Sequence, residues 1–283
     1  MFGFLPHNLF TNHVNQNTTG LSPRLWSRVS GTIMSSDGQK RLVLAGDDFM
    51  SVHPDDATAP TYVLSDENYD VPAGDSDYTI LGSTTDSGGA IVITTGATAE
   101  DEVYVSSGAA STVFGSISDT NNYLTAFECR FKVDAITDAA LSMFIGLAEE
   151  GWGAADDIAN GGALATNDYI GFHITEADGN SIDAVYRKSG AAHTQSMNPI
   201  QVPVADTYYK LGFIFDPEAP ADKRITWYAD NEEQTTYVTE AVVEAASVFP
   251  TDQMLKFVTG VKTADGTVSA LTIDWWAYAQ LIP

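Results

Sequence analysis

Tyr123-Leu124-Thr125-Ala126-Phe127-Glu128-Cys129-Arg130-Phe131-Lys132-Val133 alternates along its length. Thr125, Phe127, Cys129, Phe131 and Val133 face one way, and Ala126, Glu128, Arg130 and Lys132 the other. A period of two with one apolar side is the pattern of a strand that has one face in a core. Upstream, Asp77–Leu81 and Ala90–Thr95 are short β-rich runs joined by the turn Ser87-Gly88-Gly89. Downstream, Leu141–Ala148 is more continuously apolar and reads as a buried strand. Tyr169–Thr175 sets Ile170, Phe172 and Ile174 on one face and His173 on the outer one. The turn Asp178-Gly179-Asn180 leads into Ile182–Lys188.

Tyr208–Asp216, Arg224–Asp230, Leu255–Lys262 and Thr267–Gln280 complete the series, the last with Leu271, Ile273 and Trp275 on one face. The tandem Trp275-Trp276 then places one indole on the outside of its sheet, where a protein interface or binding groove is expected. Only Thr239–Ser247 has helical spacing, with Thr239 as a cap and Pro250 just beyond. Many short strands with turn residues between them specify a sandwich or barrel. The expectation is all-β: a two-sheet antiparallel sandwich over 46–283, with an extended N-terminal arm over 1–45.

Composition agrees. The 283 residues are 44% hydrophobic and 18% charged, enough to bury a core and too apolar for a disordered chain. The single cysteine, Cys129, excludes an intrachain disulfide and reads as a small buried hydrophobe. Met1–Pro6 lacks a basic region, so no secretory signal is expected there, and apolar stretches such as Met143–Ala148 are too short to span a bilayer. The net charge of −25 argues against nucleic-acid binding, which needs a basic stripe.

Residues 1–45 differ from the rest. Arg24, Arg28, Lys40 and Arg41 stand there against Asp37 alone, and no Lys or Arg follows until Arg130. The polar run Asn12–Thr19 shows neither period, and apolar residues flank it: Phe2, Phe4, Leu5, Leu9 and Phe10 before, Leu21, Leu25 and Trp26 after. Such a segment cannot form its own core, so it is expected to dock on a partner surface. Phe2, Phe4, Leu5, Leu9, Phe10 and Trp26 are the expected apolar anchors, with Arg24, Arg28, Lys40 and Arg41 facing an acidic neighbour.

The order of strands resembles the concanavalin A-like lectin/glucanase family, in the version found in structural proteins of tailed bacteriophages. The resemblance rests on Gly46-Asp47-Asp48-Phe49, Gly88–Ala97, Phe127–Val133, Phe144–Glu149, Asp168–Phe172, Tyr209–Phe213, Ile225–Asn231 and Leu271–Trp276. It implies a jelly-roll sandwich and a place in a virion, as a capsid decoration or cement protein. Its partners would then be the major capsid protein and neighbouring copies, in a symmetric oligomer with a trimer favoured over a dimer. A carbohydrate-binding tail or fibre protein is the alternative, and a glycoside hydrolase of the same fold is third.

The residues do not supply an enzyme's parts. Glucanases of this fold carry Glu-x-Asp-x-x-Glu, or a one-residue variant, on one strand so that acid and nucleophile share a face. Here the nearest cluster, Glu100-Asp101-Glu102, is consecutive, and Val103–Val105 after it has no carboxylate; Glu149-Glu150 and Asp156-Asp157 fail likewise. The histidines His7, His13, His53, His173 and His193 are scattered, no Gly-x-Ser-x-Gly elbow exists, and Gly161-Gly162 lacks a following Lys-Ser/Thr pair. No catalytic, zinc or cofactor residues are expected. Asp178, Asn180 and Asp183, or Asp156, Asp157 and Asn160, are oxygen ligands of the type a structural Ca2+ takes, although ordinary turn geometry also accounts for them.

Overall fold

The alternating stretch forms a strand at Leu124–Val133, with Phe127, Cys129, Phe131 and Val133 in the main core as its period requires. A computed structural model describes residues 20–35, 41–49, 61–62, 69–71, 77–86, 89–108, 115–118, 123–152, 157–245 and 247–282. The chain begins with α1 (Pro23–Ser35), β1 (Arg41–Asp47), β2 (Thr61–Tyr62), β3 (Tyr69–Asp70), β4 (Thr79–Gly82), β5 (Ile91–Thr94) and β6 (Glu102–Ser107). It continues through β7 (Leu124–Val133), β8 (Leu141–Glu149), β9 (Tyr169–Ile174), β10 (Ile182–Arg187) and β11 (Thr194–Gln201). The last part holds β12 (Tyr209–Phe215), β13 (Ile225–Ala229), β14 (Glu232–Val238), α2 (Glu240–Val243), β15 (Leu255–Thr263) and β16 (Ala270–Ile282).

Among the described residues these strands make two sheets. The nine-stranded sheet runs β14-β13-β12-β7-β16-β5-β4-β2, with β1 also paired to β16. The seven-stranded sheet runs β11-β10-β9-β8-β15-β6-β3. Pairing is antiparallel except between β2 and β4. Between the sheets lie Phe127, Phe131, Phe213 and Trp227 from one side and Ile145, Phe172 and Phe257 from the other, all fully buried. Each such side chain contributes about 1.5–3 kcal/mol by leaving water, so this layer dominates the fold's stability. Trp276 stacks flat on Phe257 at 4.4 Å between ring centres and donates its indole N–H to the Tyr69 hydroxyl at 3.0 Å.

One assignment of faces is corrected. The β16–β7 register slips between Ile273 and Trp275, so that Ile273 opposes Phe131 while Trp275 opposes Arg130. This bulge puts Trp275 on the side opposite Ile273: Ile273 and Trp276 enter the main core, and Trp275 joins a second apolar cluster on the outer face. An extra residue in one strand re-aims every side chain after it. Asp274, at the bulge, pairs with Arg130. Trp275 is nevertheless buried, because the chain itself covers that face.

The cover is α1. Leu21, Leu25, Trp26 and Val29 recur at helical spacing and pack on Leu124, Ala126, Ile214, Tyr228, Trp275, Ala277, Ala279 and Leu281. The helix approaches closely because β12 presents Gly212; a Cβ there would lie 2.7 Å from Leu25 Cδ1. After α1, β1 pairs with β16 from Arg41 opposite Ile282 to Asp47 opposite Trp276, alongside the half of β16 that β5 leaves unpaired. Residues 21–29 and 41–47 therefore pack on or pair with the sandwich, and the expected boundary at 45/46 falls inside β1. The arm was expected to be irregular, since its polar run at 12–19 masks the apolar stripe that follows it.

Candidate functional site

Two surfaces were singled out by the sequence: the N-terminal segment and the acidic cluster at 100–102. Of the N-terminal anchors, Phe2, Phe4, Leu5, Leu9, Phe10 and Lys40 lie outside the described residues. Arg41 begins β1, opposite Ile282, and its side chain is likewise outside them. The other three are brought together on α1, and they bind their own domain. Trp26 donates its indole N–H to Glu128 Oε2 at 2.7 Å, and the Ser22 amide donates to the same oxygen at 2.9 Å. Arg28 pairs with Asp216 at 2.9 Å, and Arg24 pairs with Glu232 on the surface. The acidic neighbour expected for these two cations is thus this chain's own surface.

Glu128 is fully buried beneath the helix. Burial pushes its carboxyl above the usual range; the bonds from Ser22 and Trp26 and the charge of Lys210 pull the other way. Lys210 is itself buried, donates to the Gly20 carbonyl at 3.2 Å, and is pushed down by burial. A carboxylate beneath a helix, bonded by that helix's first residues, fixes where α1 sits on the sheet.

The outer face of the seven-stranded sheet carries most of the remaining chemistry. Here β8 and β9 pair Gly146 with Gly171, and the Phe144 ring lies over both. Tyr104 covers Gly260 in the same manner. Trp152 closes the cluster, 4.7 Å from Phe144 and 5.5 Å from Tyr104 between ring centres. Ile158 and Leu164 pack there too, so the segment after β8 folds back over the sheet. Sequence gave no sign of this, because Trp152 stands alone in a Gly-rich turn.

The acidic cluster lies at one border of that face. Glu102 accepts the Tyr104 hydroxyl at 2.7 Å, and that oxygen in turn accepts the Ile158 amide at 2.8 Å. Lys262, 1% exposed, stands 3.4 Å from Glu102 and 3.6 Å from Glu100. Asp101 instead closes its own loop by accepting the Thr98 amide. The three acids are divided between an internal ion pair and a turn. Among the described residues no three His, Cys, Asp or Glu side chains converge to hold a metal. Asp183, one of the oxygens considered for Ca2+, accepts from Ser181, Gln195 and Asn198; Asp156 lies outside the described residues.

His173 is on the outer side of β9, opposite Phe172, as its alternation requires, but it is buried. Its Nε2 donates to the Gly162 carbonyl at 2.9 Å, while Nδ1 has no hydrogen-bond partner. Burial first, and His193 second, push the ring down to about 3. The sign follows: a depressed imidazole favours the folded state when neutral, so this contribution is complete above the ordinary histidine range. It is lost as pH falls from about 6.5 toward about 3, at up to about 1.4 kcal/mol per unit. In an NMR titration the His173 ring is expected to remain neutral through pH 5; a midpoint near 6.5 would show the 158–164 cover to be open.

All five tryptophans are buried, and the exposed large hydrophobics are Leu81, Val202, Val204, Met254 and Val268. No helix among the described residues is long and apolar enough to cross a membrane.

No protein-family model matches the sequence, and no curated protein matches it. Solved structures do resemble the fold. Peanut lectin with a nine-residue peptide superposes with a TM-score of 0.56 at 15% identity, over 86% of this chain and 99% of the lectin. A protein of unknown function from Shewanella oneidensis MR-1 gives 0.53 at 15% identity, over 90% and 93%. The Bacillus licheniformis β-glucanase gives 0.50 at 12% identity, over 83% and 97%. At these identities the likeness is one of architecture, which hosts binding proteins and enzymes alike: the chain has the concanavalin A-like lectin/glucanase sandwich fold.

Proposed function

We propose that this chain is a non-enzymatic structural protein of a tailed-phage particle, a head decoration or cement protein. One observation carries the non-enzymatic part: each sheet's outer face bears a cover from the chain itself, α1 on one and the segment around Trp152 on the other. The carboxylates nearest a glucanase pattern are held by Lys262 and Tyr104. A sandwich so covered serves as a rigid body that presents its edges and loops to neighbours. The sequence resemblance to phage structural proteins supports the particle. The major capsid protein and further copies of the chain are the partners this reading implies, with a trimer as the assembly and the capsid surface as its place.

The test is copurification. The chain is expected on intact heads in a fixed copy number that matches the shell's symmetry, and to release no reducing ends from β-glucans. Recovery in tails alone, or turnover that Glu102→Gln abolishes, would overturn the proposal.

A further inference from the structure

The segment that covers the seven-stranded sheet turns at Ala159-Asn160-Gly161-Gly162, and this holds the one Asn-Gly pair in the chain. The Gly162 amide closes the turn on the Ala159 carbonyl at 2.8 Å, and Gly161 has a φ of +91°, which glycine adopts without strain. Asn160 and Gly161 are both exposed, so water reaches the side-chain amide. The glycine nitrogen has no Cβ to shield it, and its bond to Asn160 Cγ would close a five-membered ring.

Beside this pair stands a carboxylate. The Gly161 amide faces the Glu176 side chain, whose Oε1 would lie 4.0 Å from a Cβ at Gly161. The other oxygen, Oε2, is buried and has no hydrogen-bond partner among the described residues. Both sides are fixed: the Glu176 amide donates to Ser142 Oγ at 2.9 Å, and Thr175 donates its hydroxyl to the Gly161 carbonyl at 3.5 Å. We infer that Asn160 is a self-modification site, at which the Gly161 nitrogen attacks Asn160 Cγ with Glu176 as the base.

The Gly161 amide proton passes to the Glu176 carboxylate as the N–Cγ bond forms. Collapse of the adduct breaks the Cγ–Nδ2 bond, and Nδ2 leaves as ammonia with the proton that Glu176 returns. Water then opens the succinimide at either carbonyl, giving aspartate or isoaspartate. One water is consumed, one ammonia is released, and nothing is oxidised or reduced. Burial and the Glu100 charge push the Glu176 carboxyl up, against the pull of Lys262 and the Gly161 amide, which makes it a better proton acceptor.

The product alters the cover. It places a new carboxylate beside Glu176, and isoaspartate adds a methylene to the main chain just before the Gly162 carbonyl that holds His173 at 2.9 Å. Gly162 has no room to yield, since a Cβ there would lie 2.5 Å from Ser142 Oγ and 2.6 Å from Thr175 Oγ1. The extra length therefore falls on the bridge between Ile158 and Leu164, and the cover over His173 loosens.

This inference does not depend on particle membership, and its test uses the full chain. After incubation at neutral pH and physiological temperature, peptide mapping by mass spectrometry is expected to find aspartate and isoaspartate at position 160 before any other asparagine converts. Glu176→Gln, which keeps the shape and removes the base, is expected to slow the conversion at least about tenfold, a partly exposed base falling below the roughly hundredfold or more of an enzyme's. Asn160→Gln is expected to stay unmodified and to keep the His173 ring neutral as in the fresh chain. The modified fraction, separated by ion exchange, is expected to titrate His173 at a higher pH. Asn160 outlasting other asparagines would overturn the site, and an equal rate in Glu176→Gln would overturn the role of the base. An unchanged His173 titration in the modified fraction would overturn the effect on the cover.

Discussion

Deletion of residues 2–45 is expected to yield a chain that aggregates or fails to fold, whereas deletion of 2–19 keeps a cooperative unfolding transition within a few degrees of the full chain. The longer deletion removes Leu21, Leu25, Trp26 and Val29 from the outer cluster and exposes Trp275, Ile214 and Tyr228 to water. At about 1.5–3 kcal/mol per buried side chain, the four lost residues amount to about 6–12 kcal/mol, comparable to the whole stability of a typical domain. It also removes most of β1, leaving the backbone of β16 from Tyr278 to Ile282 without a partner on that side, and strips Glu128 of the Trp26 and Ser22 donors. The shorter deletion leaves all of these contacts. Light scattering and thermal denaturation of the two proteins distinguish the outcomes. A well-folded, monodisperse 2–45 deletion would show that α1 is an independent appendage, as an attachment arm would be. Particle binding is then informative only with the 2–19 deletion, which removes Phe2, Phe4, Leu5, Leu9 and Phe10 and keeps the domain.

Lys262→Ala is expected to destabilise the protein by about 3–5 kcal/mol, the usual cost of removing one partner from a buried ion pair. Glu102 would keep its bond from Tyr104 but lose its counter-charge, and Glu100 Oε2, buried beside the same ammonium, would lose it as well. The effect should therefore arise from two carboxylates left without their shared cation. Lys262→Met/Glu102→Gln, which neutralises Lys262 and Glu102 at similar volume, is expected to recover part of the loss. Urea denaturation of the three proteins measures this directly. A single-variant cost below about 1 kcal/mol, the range of exposed pairs, would mean that water reaches Glu102 and that the Trp152 cover is loose.

Alternation was enough to identify β7 and β9 and to say which of their side chains enter the main core, because a strand packed on one face repeats every second residue whatever lies beyond it. Cys129 was legible as a buried residue for the same reason. The edge strands were not. β11 contains Gln195, Asn198 and Pro199, and β14 contains Glu232, Glu233 and Gln234; each pairs with a single neighbour in its sheet and buries little, so no apolar period marks it. The helical stripe from Leu21 to Val29 was present in the sequence and was obscured by the polar run before it.

Other features had no local sign at all. The bulge that turns Trp275 outward depends on pairing with β7, 144 residues from Asp274 to Arg130. Trp152 is a core residue only because its segment folds back over Phe144 and Tyr104. A pocket beside α1 draws Arg24 and Arg28 from the helix and Lys223 from a loop some two hundred residues later. The sequence by itself determined the period of the central strands and the sign of the surface, since both depend on side-chain type and spacing alone. Tertiary structure decided which outer faces are covered and which charges pair, since those follow from contacts between segments distant along the chain.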